Sequence, residues 1–256
     1  MDDGVKLSVH VERAGHHAPW VIFSNSLATN GTIWDSQAAA LAGRFNVLRY
    51  DQRGHGNSDV AEAAVDFARL AADVVALLDH CEIARAAFVG LSMGVPTGLA
   101  AYARAPQRFT GLILSDGQAK TAPGGQTQWR ERIDAAKAQG MAALGESTAR
   151  RWLADSASPL LAGLAEMIAA TPLDGYTACA GALAAFDLEA VLGSITVPVL
   201  LIAGEADGRM PETMRDMAGR IGDACFATVP GAGHVPCYER PGAFNALMLP
   251  FLESLT

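Results

Sequence analysis

The chain has 256 residues, half of them hydrophobic and 18% charged, enough for a large core in one or two domains. Its net charge of −8, with no basic run, argues against nucleic acid or an anionic membrane surface as partner. The longest compact apolar run, "VPVLLIAG", is far too short to span a bilayer. Cys81, Cys179, Cys225 and Cys237 are widely spaced and form no C-x-x-C pair, so neither zinc nor a disulfide framework is expected. The opening "MDDGVKLSVHVE" has neither the basic nor the apolar region of a targeting segment, and a cytoplasmic location is expected.

In chain order, short apolar runs recur after the N-terminal strand pattern: "WVIFS" (20–24), "FNVLRY" (45–50), "AAFVG" (86–90), "TGLILS" (110–115), "VPVLLIAG" (197–204) and "CFATVP" (225–230). They are near-continuous rather than alternating, as parallel strands covered on both faces are. Helical patterns separate them. In "DFARLAADVVALLDHC", Phe67, Leu70, Val74, Leu77 and Cys81 step by three and four and make one apolar stripe. This alternation predicts an α/β fold with a mostly parallel central sheet flanked by helices. It breaks between residues 119 and 190, where helical patterns such as "QWRERIDAAKAQGMAALGESTARRWLA" run without a strong strand. That stretch is too long for an ordinary crossover. It reads as a helical cap inserted after the sixth strand, on a core made of 1–118 and 191–256.

The chemistry centres on "FVGLSMGVP". Gly-x-Ser-x-Gly alone is weak, but here it follows a strand and opens a helix, which would expose the Ser92 hydroxyl at a sharp turn above the sheet. A serine nucleophile needs a base and the base an orienting acid. His10, His16 and His17 fall in the N-terminal strand and turn, and His80 late in an amphipathic helix. His55, in "RYDQRGHGNSD", is either structural or pocket-lining. His234, in "VPGAGHVPCYERP", lies between the last strand and the last helix and can reach over the strand ends. Cys237, close by, either lines a site or fills space. Asp207 and Asp116 each follow a strand, and the order Ser…Asp…His fits both. A developing oxyanion would need two fixed N–H donors, expected from Met93 and from Leu27 where the loop after "WVIFS" turns.

The segments "SNSLATNGTIWDSQ", "NVLRYDQRGHGNSD", "FVGLSMGV", "GEADGRMP" and "GAGHVPCYERPGAFN" together resemble the α/β-hydrolase superfamily, and within it the 3-oxoadipate enol-lactonase group. The resemblance covers essentially the whole chain. It implies an α/β-hydrolase fold, a Ser92–Asp207–His234 triad in which Asp207 rather than Asp116 is the acid, an oxyanion hole from the Leu27 and Met93 N–H groups, and no cofactor and no metal. "Asn25-Ser26" stands where most of the superfamily has His-Gly, a trait of the lactonase group. Three positions depart from the pattern: Ala28 replaces a glycine in "SLGT", Val95-Pro96 follows the elbow where a second glycine is usual, and "HVPCYERP" differs from "HLxxxEQP".

The implied reaction is hydrolysis of a small ester or lactone through an acyl-enzyme, within aromatic catabolism. The alternatives are a broader carboxylesterase or another lactonase on the same residues, and, with less support, a non-catalytic receptor of the same fold. An enol-lactone of that group carries a free carboxylate, so an acidic protein must supply a local cation. Trp129 and Arg132, at i and i+3, share a helix face and are the expected apolar wall and carboxylate grip. The elbow is expected to be intact, with the following helix beginning within one turn of Ser92. Nothing in the sequence fixes the oligomeric state.

Overall fold

A computed structural model of the chain describes residues 3–60 and 64–256. The apolar runs form a seven-stranded sheet in the order β1-β3-β2-β4-β5-β6-β7. Its strands are β1 (Val9–Glu12), β2 (Trp20–Ser24), β3 (Asn46–Tyr50), β4 (Ala86–Leu91), β5 (Phe109–Ser115), β6 (Val199–Gly204) and β7 (Ala224–Val229). Only β1, on the exposed edge, is antiparallel to its neighbour. Every residue of β4 and β6 is buried, which explains their unbroken hydrophobicity.

Between the strands run α1 (Asp35–Leu41), α2 (Phe67–His80) and α3 (Gly94–Arg104). The predicted stripe of α2 is buried at Phe67, Leu70, Val74 and Leu77, and the Asp66 side chain caps the helix by accepting from the Arg69 N–H at 2.7 Å. The chain moves outward from β2 to β3, then returns to place β4 on the other side of β2. Right-handed crossovers therefore put α1 on one face and α2 and α3 on the other. They also open a crevice between the carboxyl ends of β2 and β4, where ligands of open α/β sheets bind. β2 leads to Leu27 and β4 leads to Ser92.

The helical insertion holds α4 (Gly125–Trp152), α5 (Leu161–Ala169) and α6 (Leu173–Ala184), and the short α7 (Glu189–Leu192) follows it. α4 is broken at Gly140, whose φ of 81° and ψ of 166° are non-helical, so one sequence pattern becomes two helices joined by a kink. The two ends of the insertion pair with each other: Leu188 N–H donates to Ala119 C=O at 2.8 Å and Thr121 N–H to Phe186 C=O at 3.0 Å. The chain then returns through β6, α8 (Met210–Ala218), β7, α9 (Pro236–Glu239) and α10 (Pro241–Ser254).

One expectation is corrected. The insertion leaves the sheet after the fifth strand of the described residues, not the sixth. The runs read before the insertion, with the N-terminal pattern, number five and form β1 to β5, and residues 14–18 after β1 make a turn, as expected. Asn46 holds that turn: its Oδ1 accepts from Ala14 N–H at 2.8 Å, and its Nδ2 donates to Gly15 and Ala18 C=O at 2.9 and 2.8 Å. Among the described residues no helix is long and apolar enough to cross a membrane.

Candidate active site

Ser92 stands between β4 and α3 with φ of 53°, in the left-handed region that non-glycine residues avoid at a cost of roughly 1–2 kcal/mol. Two backbone bonds hold it there: its N–H donates to Ser115 C=O at 2.8 Å, and its C=O accepts from Val95 N–H at 2.9 Å. A Cβ on Gly94 would lie 2.5 Å from Ser24 C=O, and one on Gly90 would strike Gly94 C=O. The flanking glycines are thus required by close backbone approach. α3 begins at Gly94, two residues after Ser92. Pro96 leaves no orphan, because Val95 supplies the N–H that the Ser92 carbonyl needs. The bulk of Val95 is accommodated by Gly117, where a Cβ would sit 2.5 Å from the Val95 side chain.

His234 Nε2 lies 2.9 Å from Ser92 Oγ, and its Nδ1 lies 2.7 Å from Asp207 Oδ2. Asp207 turns back over β6 through a tight loop: its N–H donates to Gly204 C=O at 3.1 Å and its C=O accepts from Met210 N–H at 2.8 Å. The helical insertion fixes the His234 loop. His234 N–H donates to Trp152 C=O at 2.7 Å, and the Trp152 ring lies 5.1 Å from the imidazole, centre to centre. Glu239 accepts from Gly233 N–H at 2.7 Å with one oxygen and from Ala154 N–H at 2.9 Å with the other. Reading the sequence did not find Trp152 or Glu239, whose contacts join segments far apart in the chain.

Leu27 and Met93 are buried, and among the described residues neither backbone N–H has a hydrogen-bond partner. The turn that presents Leu27 puts Ala28 at φ of 61°. That is why a glycine is at home there, and Ala28 accepts strain instead.

Ser92 and His234 open into a cavity of about 350 Å³ walled by Leu27, Trp129, Arg132 and Arg151. Trp129 and Arg132 do face it together, with the guanidinium 4.8 Å above the indole. Arg151 was not anticipated. Partial desolvation, and then the like charge of Arg132, hold its guanidinium below the usual range. Among the described residues neither arginine has a carboxylate within salt-bridge distance. An acidic protein has placed two guanidiniums without a salt-bridge partner in the wall of the cavity onto which Ser92 and His234 open.

The remaining histidines, Cys237 and Asp116 stand outside this hydrogen-bonded chain. His10, His16, His17 and His80 are exposed. His55 is fully buried, with Nδ1 3.0 Å from Arg53 C=O, and burial pushes it down to about 4. It sits beside a buried ion pair in which Arg53 donates twice to Asp73, both at 2.6 Å. Cys237 is completely enclosed, and burial pushes its thiol up. Asp116 lies behind Asp207, fully buried, accepting from Gly204 N–H at 2.8 Å and Ser115 Oγ–H at 2.6 Å.

Residues 19–241 match the family model for the alpha/beta hydrolase fold, and the chain belongs to that family. It is a hydrolase. It is 35% identical to 3-oxoadipate enol-lactonase 1 of Acinetobacter baylyi, over 98% of this chain and 95% of that one. It is 32% identical to the putative carbamate hydrolase RutD of a Caulobacter species, over 98% and 96%. The crystal structure of the enol-lactonase from Burkholderia xenovorans LB400 superposes with a TM-score of 0.91 at 35% identity, covering 98% of each chain.

Proposed function

We propose that the chain hydrolyses a small anionic lactone, 3-oxoadipate enol-lactone first among them, through an acyl-enzyme on Ser92. The observation that carries this reading is the unbroken Ser92–His234–Asp207 hydrogen-bonded chain at the mouth of a cavity with two unpaired guanidiniums. The enol-lactonases at 35% identity support the choice of lactone.

His234 takes the Ser92 proton as Oγ attacks the lactone carbonyl, and Asp207 holds the imidazole in the required orientation and stabilises its cation. The free N–H groups of Leu27 and Met93 receive the oxyanion, each worth roughly 3 kcal/mol in comparable sites. Collapse breaks the ring C–O bond, and His234 returns the proton to the departing enolate, which stays tethered to the acyl group. Water, deprotonated by His234, then releases the open acid. Arg132 and Arg151 hold the substrate's free carboxylate, with Trp129 as the apolar wall. Residues 119–190 act as the cap that shapes this cavity over the core of 1–118 and 191–256.

A second reading, a broader carboxylesterase, draws support from the apolar part of the same wall, which includes Leu27, Pro96, Leu183 and Phe186. Turnover of wild type and Ser92→Ala on the enol-lactone, other lactones and p-nitrophenyl esters decides between them. Ser92→Ala is expected to lose at least about 10⁴-fold in kcat on every substrate. Full activity in that variant would overturn the mechanism. Wild-type turnover of simple esters alone would remove the lactone assignment.

A further inference from the structure

Asp116 is the acid that the chain order Ser…Asp…His allowed and the hydrogen-bonded chain left out. It directly follows β5 at φ of 48°, a strained position for a non-glycine residue. One oxygen of Asp116, one of Asp207 and a ring nitrogen of His234 all lie within 4.8 Å of one another. Asp116 is 0% exposed, while the Asp207 side chain is 20% exposed. The groups facing Asp116 are Asp207 from the loop after β6, His234 from the loop after β7, Ser115 beside it, and the enclosed thiol of Cys237 from α9. None of these is a fixed cation; Arg151 acts on Asp207 instead.

Two carboxylates in one enclosed site do not both ionise. Asp207 keeps its charge against the imidazole and partial access to water. We propose that Asp116 is a protonated second carboxyl that donates its hydrogen to Asp207 and fixes the rotation of that carboxylate toward His234. This makes Asp116 a positioning residue, and the inference rests on the serine-hydrolase reading above. Burial first, and then the Asp207 charge, push the Asp116 carboxyl well above the usual carboxylate range, in agreement with that geometry. The proton stays on Asp116 throughout turnover; its role is to orient, not to shuttle.

Asparagine is the neutral isostere of a protonated aspartate and tolerates a positive φ. In Asp116→Asn the amide oxygen accepts from Gly204 N–H and the amide nitrogen donates to Asp207. The acid limb of the kcat/KM profile, which reports the free base, is expected to stay within about 0.3 pH unit of wild type, with kcat down no more than about fivefold. A limb moved about one unit or more toward low pH would mean that Asp116 had carried a negative charge, and would overturn the proposal. A second arm uses Asp207→Asn. With the like charge gone, an Asp116 carboxyl oxygen accepts the Asn side-chain N–H, which turns the amide oxygen toward His234. The single variant is then expected to keep at least about tenfold more activity than Asp207→Asn/Asp116→Asn, beyond the product of the separate losses. Strictly multiplicative losses would overturn the proposal. Ser92→Ala, run alongside, separates the two failures: if it keeps activity the mechanism falls, whereas its inactivity with a shifted Asp116→Asn limb removes only the role of Asp116.

Discussion

The loops above the sheet and the helical insertion over them are built by different rules. Above the sheet, Ser92 and Asp207 sit one and three residues beyond the buried strands β4 and β6, and backbone bonds fix them: Ser92 through Ser115 and Val95, Asp207 through Gly204 and Met210. In the insertion, helices follow an irregular course, one of them broken at Gly140, and the cavity wall comes from side chains of both parts of α4. A strand end can place an atom with little side-chain freedom, which attack on a carbonyl demands. A helix surface offers exchangeable side chains, which suits discrimination between substrates. On the proposed reading, edits beneath the sheet top should damage fold or turnover for all substrates, and edits to the cavity-facing side chains of the insertion, away from the Trp152–Ala154 corner, should change which substrate is preferred.

The hardest test of the first half is Asp73→Ala. It strands the buried Arg53 guanidinium, which retains Asp3 as a partner at 2.9 Å. A loss of about 3–5 kcal/mol is expected in denaturant unfolding, with the surviving folded enzyme showing an unchanged substrate preference. Next comes acid stability through His55. Its folded value of about 4 lies below the ordinary 6.5, so the unfolded chain binds the extra proton. The contribution is fully present above pH 6.5 and is lost as pH falls toward 4, amounting to about 3 kcal/mol. Unfolding followed between pH 7 and pH 4 in wild type and His55→Gln checks this: the slope should flatten in the variant.

The insertion half is tested by Arg132→Ala and Arg151→Ala, each assayed on an anionic lactone and on a neutral ester. Each should lose about 10–100-fold in kcat/KM on the anion and little on the ester. Equal losses on both substrates would break the division drawn above. The smallest effect is expected at Ala28→Gly, where relief of a left-handed alanine should raise stability by about 0.5–1 kcal/mol in thermal or denaturant unfolding, less the entropy cost of glycine.

The same division governs what the sequence could disclose. Strands 20–24, 86–90 and 197–204 were legible because burial on both faces forces unbroken apolar runs. Ser92 and Asp207 were legible as positions because each follows such a run within three residues, and His234 because it lies in the glycine-rich loop between the last strand and the last helix. Trp129 and Arg132 share a face by helical spacing alone, and they do face the cavity together. Arg151 was not legible, because its approach to Arg132 depends on how α4 bends at Gly140, which composition does not set. The insertion was placed after a sixth strand, although the runs read before it number five with the N-terminal pattern, and five strands form there. The place of Asp116 behind Asp207 was out of reach because it arises from pairing of β5 with β6 across 88 residues of chain.

The stitch at Trp152 and Ala154 has a consequence for grafting. Exchanging insertions between relatives invites a cut at the neck, between residues 119–121 and 186–188. Such a transplant would carry away the carbonyl that receives the His234 N–H and the amide that anchors Glu239. The recipient would gain a new wall and lose the brace on its own imidazole. Selectivity in this protein is therefore not a detachable module: any imported insertion must bring its own equivalent of the Trp152–Ala154 corner, matched to the loop it lands on.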